Sequence, residues 1–503
     1  MPRRALVPIP SDDVRTSTSS SQASTETDIS KCLLPWIDLK DGENPLPYQP
    51  VDSVLLTRSS HVAYLYPQLF GQPMKSTWLD SYRSLVFQWV CGALSILGVK
   101  IKPNEQSKAI QTVMSFQHPQ GGFGGGPGQI AHLTSTFACI AALAILLDGA
   151  DQSFINETCA RIDRKKMYEW MLSLKTPNGS FAMHQDGDID VRGCATALSV
   201  ATVLNLLTPE LVKNLPEYLV SCQTYEGGIC ADSFFNSMAK PEGTQPEYPN
   251  AAPTGEAHGG YSMCALTCDF LLQGLPSLSG SPRLDYDSCL RWAAHMQGLP
   301  IEGGGFRGRT NKLVDGCYGW WCGSALTLLQ ALMSTDLSTD QQGCSDLLDR
   351  QALQEYILLI SQDLTPNAKK GGLRDKPCTP PDLYHTYYIL GALSIMQHTQ
   401  KHSSQRIQEL KQNFKRPHYS KCILGDSESE SDAFQRMKEI YSRVLGWEVQ
   451  KGKELVVGLV SNEVVSHLYP FLSYLIGFDH KILTKDYIPT PAEIGTCASN
   501  FQH

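Results

Sequence analysis

The sequence predicts an all-α protein built as an array of helical hairpins, with strands minor or absent. A glycine-rich turn recurs as Gln120-Gly-Gly-Phe-Gly124, Asn178-Gly-Ser-Phe181, Glu226-Gly-Gly-Ile229, Gly303-Gly-Gly-Phe306 and Gly371-Gly-Leu373. The intervals are roughly 50 to 75 residues, long enough for two helices per unit. The apolar segments between turns have helical period: Phe137, Ile140, Ala141, Ala144 and Leu147 fall at i, i+3, i+4, i+7 and i+10. Ala197, Val200, Ala201, Leu204 and Leu207 repeat that spacing, and no comparable stretch alternates with period two. Small residues on these faces let helices approach closely.

Taken in chain order, residues 1–30 are rich in Ser and Thr and poor in aromatics, which predicts a disordered tail. Residues 31–397 hold the repeats. Residues 398–438 are polar and charged and include Asp426-Ser-Glu-Ser-Glu-Ser-Asp432. They are expected to form a solvated, flexible insertion, with a phosphorylatable acidic patch as the alternative. Residues 439–503 regain apolar character and are expected to pack back on the body. The Asn236 to Pro253 insertion has no reading.

Composition excludes several classes. Of 503 residues, 42% are hydrophobic and 18% charged, enough for a large buried core rather than wholesale disorder. A net charge of -8 lacks the positive field expected of a nucleic-acid binder. The longest apolar run, Phe137 to Leu147, is eleven residues, well short of the ~20 a membrane span needs. No apolar core follows Arg3-Arg4, so no secretory signal is expected, and the 16 cysteines read as reduced thiols of a cytoplasmic protein.

The inner helix of each unit should begin just after its polar stretch. Arg192, His258 and His385 each lie eight residues before the second member of a small-apolar pair: Ser199-Val200, Ala265-Leu266 and Ala392-Leu393. Cys317 lies nine before Leu326. In a closed ring, such positions would converge on one mouth. Asp315-Gly-Cys317 offers a carboxylate and a thiol two apart, and His385 from the next unit would complete a three-ligand zinc site with one open position. Alone, Cys317 would read as a small buried residue at a helix start; the repeat register is what favours metal.

Arg309-Thr-Asn-Lys312 lies just upstream, followed by Tyr318 and accompanied by His258 and Arg192. Two cations and a phenol can hold a diphosphate and stabilise charge as it leaves carbon. A solvated basic loop is the bland alternative, and Gly303 to Gly305 together with the nearness of Cys317 argue for a site. Trp89, Tyr261, Trp320, Trp321, Tyr384, Tyr387 and Tyr388 are partly core, and several lie near enough the polar residues to line a cavity for a long hydrocarbon. Asp186-Gly-Asp-Ile-Asp190 imitates the start of a calcium loop, but Val191 and Ala197 stand where Gly and Glu are needed. These carboxylates read instead as a helix cap or as a partner orienting Arg192.

At these residues the sequence resembles the β subunits of protein prenyltransferases, and among them the farnesyl-transferring type. The stretch Gly308-Arg-Thr-Asn-Lys-Leu-Val-Asp-Gly-Cys-Tyr318 carries most of the resemblance, with Glu256-Ala-His-Gly-Gly-Tyr261 and Asp382-Leu-Tyr-His385, over roughly Pro67 to Gln397. The resemblance implies an α/α barrel (toroid) of helical hairpins. It implies Zn2+, one per β subunit, on Asp315, Cys317 and His385, and a farnesyl diphosphate held by His258, Arg309, Lys312 and Tyr318. Asp375 would help place Mg2+ on the diphosphate. Trp89, Tyr261, Cys264, Trp321 and Tyr384 match pocket-lining positions, and Arg192 would serve the pocket floor or peptide recognition.

The implied reaction is attack by the cysteine thiolate of a C-terminal CaaX motif, on proteins such as small GTPases, at C1 of the isoprenoid. The implied partner is a prenyltransferase α subunit in a heterodimer. Leu85 and Ala195 stand where family members often carry aromatics that shorten the lipid pocket or shape the site for the CaaX aliphatic residue, which leaves a geranylgeranyl-transferring β subunit as an alternative. A non-catalytic helical scaffold is the alternative of another class. Terpene cyclases share the architecture, but their protonating Asp-x-Asp-Asp run is missing.

Overall fold

The computed structural model describes residues 6–10, 14–36, 54, 56–70, 77–148, 150–204, 206–234, 252–272, 278, 280–333, 347–365, 371–402 and 447–451. In chain order the helices are α1 (Ser17–Leu33), α2 (Arg58–Leu65), α3 (Arg83–Ile96), α4 (Pro103–Met114) and α5 (Leu133–Leu147). Then come α6 (Gln152–Ala160), α7 (Arg164–Ser173), α8 (Val191–Val203), α9 (Pro209–Val212) and α10 (Leu215–Ser221). The last are α11 (Gly259–Leu272), α12 (Tyr286–Ala294), α13 (Tyr318–Met333), α14 (Arg350–Tyr356) and α15 (Leu383–Gln397).

Helices α3, α5, α8, α11, α13 and α15 each pack on the next, and α15 returns to α3, so they form a closed inner ring. Each is preceded by a shorter outer helix: α2, α4, α7, α10, α12 and α14. Burial explains the division. Most of α5 is buried, including Cys139, Ile140, Ala142, Leu143 and Leu147, as expected of a helix covered on all sides. On α12 only Cys289, Trp292 and Ala293 are buried, one apolar stripe facing the ring.

The recurrent glycine turn couples neighbouring hairpins. At the closure point Gly371 has φ +90, and a Cβ there would lie 2.0 Å from the Ser60 carbonyl oxygen of α2. Only glycine supplies both the left-handed backbone and the close approach. The next inner helix then receives the turn through a hydroxyl: Phe123 N–H donates to Thr136 Oγ1, Ile229 N–H to Ser262 Oγ and Leu373 N–H to Thr386 Oγ1, each at 2.9 Å.

One expectation needs correction. The N-terminal segment expected to be disordered is helical from Ser17. A capping box starts it, with Ser19 N–H donating to Thr16 Oγ1 and Thr16 N–H to Ser19 Oγ. Ile29 and Leu33, four apart, are buried and anchor it, so two well-spaced apolar residues outweigh a Ser/Thr-rich composition. Of the segment 398–438 expected to be a flexible insertion, only strand β1 (His398–His402), which continues α15, is among the described residues. It pairs antiparallel with β2 (Trp447–Lys451), His398 opposite Lys451. The acidic run at 426–432 and the insertion 236–251 lie outside the described residues, as does the remainder of 439–503. No helix among the described residues is long and apolar enough to cross a membrane.

Candidate functional site

The inner helices start at one mouth of the ring, in a register the backbone fixes. His132, His258 and Asp315 each donate their N–H to the residue closing the preceding glycine turn: Phe123, Ile229 and Phe306. Each side chain then accepts the N–H two residues on: His132 from Thr134, Asp190 from Arg192, His258 from Gly260 and Asp315 from Cys317. The equivalent positions are therefore the caps His132, Asp190, His258 and Asp315. The expected equivalence of Arg192, His258, Cys317 and His385 fails: His258 is itself a cap, Arg192 and Cys317 lie two residues beyond theirs, and His385 lies three beyond Asp382. Those residues begin inner helices at the same mouth from different places in the repeat.

Asp315, Cys317 and His385 come together there, one ligand atom of each lying within 4.8 Å of the others. Asp315 and Cys317 precede α13, while His385 is in the first turn of α15. His385 Nε2 lies 3.5 Å from Asp315 Oδ1. Its Nδ1 is 2.6 Å from Asp382 Oδ2, and its backbone N–H donates to Asp382 Oδ1. Asp382 therefore keeps a proton on Nδ1 and turns Nε2 toward Asp315 and Cys317.

The cluster wants a cation. Burial opposes charge on His385, but hydrogen bonds to Asp315 and Asp382 outweigh it and push the imidazole up to about 10. Burial, then the Asp315 charge, pushes the Cys317 thiol well above its ordinary range. A divalent ion would displace these protons and neutralise both acidic ligands. One O, one S and one N donor suit zinc, and ligand atoms in a tetrahedral zinc site are roughly 3.5 Å apart, which the Asp315–His385 pair matches. Among the described residues this is the one such group of three.

Beside it, Arg307 pairs with Val314 and the chain between them folds over into a hairpin tip. The Lys312 N–H donates to Arg309 O at 3.3 Å, so the two cations share one turn. Lys312 is exposed, and among the described residues its ammonium makes no ion pair. Arg309 Nη1 is 2.5 Å from Glu256 Oε1. The Tyr318 ring lies on Gly308, where a Cβ would come within 2.0 Å of its Cζ.

His258 Nε2 is 3.0 Å from the Tyr318 hydroxyl. Since Nδ1 accepts the Gly260 N–H, the neutral ring carries its proton on Nε2 and donates to Tyr318, leaving the phenol proton free for another acceptor. Burial, helped by Arg309, lowers His258 to about 4, so the ring is neutral near pH 7. Burial raises the Tyr318 phenol, which stays protonated.

An aromatic wall adjoins the metal-ligand cluster. Trp321 Nε1 donates to Tyr384 Oη at 3.0 Å, and Trp89 meets Tyr384 edge-on at 5.5 Å. Tyr388 stacks on Trp321, whereas Trp320 and Tyr387 are buried core. Tyr261 stacks on His258, with Arg192 5.7 Å above its ring, and Cys264 is buried one turn along α11. Arg192 forks onto Asp190, Nη2 to Oδ2 at 2.6 Å, as the carboxylate reading anticipates. Asp375 bonds Lys376 and Thr379, which hold its carboxyl low against the opposing effect of burial. Its carbonyl accepts from Gly316 N–H, between the two ligands on that loop.

Sequence reasoning left three contributors without roles. Asp382 orients His385, and its signal was a carboxylate three residues upstream at a helix start. Glu256 neutralises Arg309, and Tyr356 lies buried beneath the site with its hydroxyl donating to Asp375 O. The last two meet their partners only through the fold.

The family model of the prenyltransferase alpha-alpha toroid domain matches residues 56–421. The chain belongs to the prenyltransferase family, and its relatives there are chiefly β subunits of protein farnesyltransferase. The one from Pyricularia oryzae is 34% identical, covering 77% of this chain and 71% of its own length. The one from Saccharomyces cerevisiae is also 34% identical, covering 73% and 78%. The geranylgeranyl transferase type-1 β subunit of Arabidopsis thaliana is 28% identical over 53% of this chain and 59% of its own. Among solved structures, Candida albicans protein geranylgeranyltransferase-I complexed with GGPP shares the fold with a TM-score of 0.51 at 19% identity, covering 77% of this chain and 99% of that one.

Proposed function

We propose that this chain is the catalytic β subunit of a protein farnesyltransferase that works with a prenyltransferase α subunit in the cytoplasm. It would transfer farnesyl from farnesyl diphosphate to the cysteine of C-terminal CaaX motifs, on substrates such as small GTPases. The observation that carries this reading is the three-ligand cluster beside a hairpin bearing Arg309 and Lys312.

Asp315, Cys317 and His385 would hold zinc, whose positive charge would favour the thiolate form of a substrate cysteine near neutral pH. Asp382 holds the Nδ1 proton, so the Nε2 lone pair is the one offered. Lys312 and Arg309 supply positive charge to the diphosphate, and the Tyr318 O–H donates to it because His258 already donates to Tyr318. Asp375 would hold magnesium with the diphosphate, adding charge neutralisation. The wall of Trp89, Trp321 and Tyr384, with Tyr261 and Cys264, offers apolar surface to the isoprenoid.

Sulfur bonds to C1 as the C1–O bond breaks, and the electron pair leaves on the diphosphate. No protein nucleophile is consumed, so Cys317 is a ligand and not the attacking thiol. Arg192, held by Asp190 over Tyr261, would border the substrate cavity.

A geranylgeranyl-transferring subunit is the second reading. Ala195, buried one turn along α8 from Arg192, and Leu85 on α3 are smaller than the aromatics that would shorten a lipid cavity. The test is co-expression with an α subunit and transfer of each lipid to a CaaX peptide, with and without a chelator. Chelator-sensitive farnesyl transfer supports the first reading. Preference for the longer lipid supports the second, and no transfer of either would overturn both.

A further inference from the structure

We infer that α1 is a positioning element for the metal-ligand loop, an inference that rests on the proposed role of Asp315, Cys317 and His385. The loop runs from the short helical turn Pro300–Glu302 to the start of α13, and α1 covers its underside. Ile29 and Leu33 are buried in a cluster with Val314, Tyr356 and Ile360, separate from the main core of the ring. Val314 immediately precedes Asp315. Ile29 also lies against Gly303, where an added Cβ would sit 3.4 Å from its Cγ2.

A second line of contacts reaches the residue between the two ligands. Tyr356, fully buried beside Ile29, donates its hydroxyl to Asp375 O at 2.8 Å. The same carbonyl accepts the Gly316 N–H, also at 2.8 Å. Gly316 is thus tied, through one carbonyl and one phenol, to the face that α1 covers.

A polar chain runs parallel. Gln22 Nε2 donates to Glu26 Oε1 and to Glu302 Oε1, at 2.8 and 3.2 Å. Glu302, 1% exposed, accepts from Leu299 N–H and from Arg307, the residue bridged to Val314. Without α1, an apolar cluster and a buried carboxylate would open to water under the loop. Asp315 and Cys317 would then lose their fixed placement relative to His385 on α15. Loss of a group bonded directly to a ligand typically costs metal affinity 10- to 100-fold, and contacts one layer further out, as here, act at the lower end.

The test compares variants of the chain co-expressed with an α subunit, measuring zinc affinity by chelator competition, thermal midpoint, and kcat and KM. Ile29→Ala should weaken zinc binding by about tenfold and lower kcat, while Ile29→Val stays near wild type. Leu211→Ala, an equal deletion in the main core on the short helix α9, should lower the midpoint without changing zinc affinity. Should Ile29→Ala fail to fold, Gln22→Ala must weaken zinc binding in the same direction. Zinc affinity in the α1 variants equal to that of Leu211→Ala overturns the inference. A wild-type protein that binds no zinc would instead overturn the reading on which it rests.

Discussion

The two sides of the barrel mouth are built differently. At the metal-ligand cluster each ligand-bearing segment is braced: Asp382 fixes His385, the Cys317 N–H fixes Asp315, and Asp375 O anchors Gly316. At the cation rim, Lys312 is exposed and Arg309 is paired with a half-exposed Glu256 across a hairpin tip. One side is organised before any ligand arrives, as a site demanding fixed ligand geometry requires. The other presents charge that can close on a diphosphate, with only Tyr318 and His258 held in place. Geometry is the asset of the first side and charge that of the second.

Substitutions should divide along the same line. Cys317→Ala should have the largest effect, removing bound zinc and lowering transfer by about a thousandfold or more, with farnesyl diphosphate binding largely kept. Metal analysis and single-turnover transfer check it. Asp382→Asn should come next, costing about 10- to 100-fold in zinc affinity, since an amide cannot hold the Nδ1 proton as a carboxylate does. Equal zinc affinity in this variant would mean that the brace is ornamental.

Lys312→Ala should leave zinc untouched and weaken diphosphate binding by about 10- to 100-fold, the loss of one charge-assisted contact. Its binding should also become less sensitive to salt. Loss of metal in this variant would mean that the two sides are not separable.

The smallest effect concerns pH. His258 is lowered to about 4 in the folded protein, against about 6.5 unfolded. The unfolded chain therefore takes the proton first, so stability is unaffected above about pH 6.5 and falls as pH drops toward 4. His132, lowered likewise, contributes in the same window. His258→Gln should flatten this decline by at most about 1.4 kcal/mol per pH unit, measured as unfolding midpoints at pH 5 and pH 7.

The same contrast marks what could be read from the chain alone. Helical period and glycine turns expose the hairpins because both are local, whereas Asp315-Gly-Cys317 is weak by itself and is joined to the distant His385 only through the repeat register. The repeat register did not survive, because counting back from small-apolar pairs ignores the caps that start each helix. Helix α1 was hidden by its Ser/Thr content, and its anchoring contact, Gln22 to Glu302, spans 280 residues. Glu256 and Tyr356 were hidden likewise, since a charge partner or a buried phenol has no sequence mark until the ring closes. The masking is physical: composition reports average solvation, whereas burial is decided by a few residues at the right spacing.

Binding of one divalent ion by Asp315, Cys317 and His385 can be read by cobalt(II) substitution of the protein co-expressed with an α subunit. One cobalt per β subunit is expected, with a thiolate-to-cobalt charge-transfer band that is present before substrate and disappears in Cys317→Ala. A band that persists in Cys317→Ala, or a protein that takes up no cobalt, would contradict such binding.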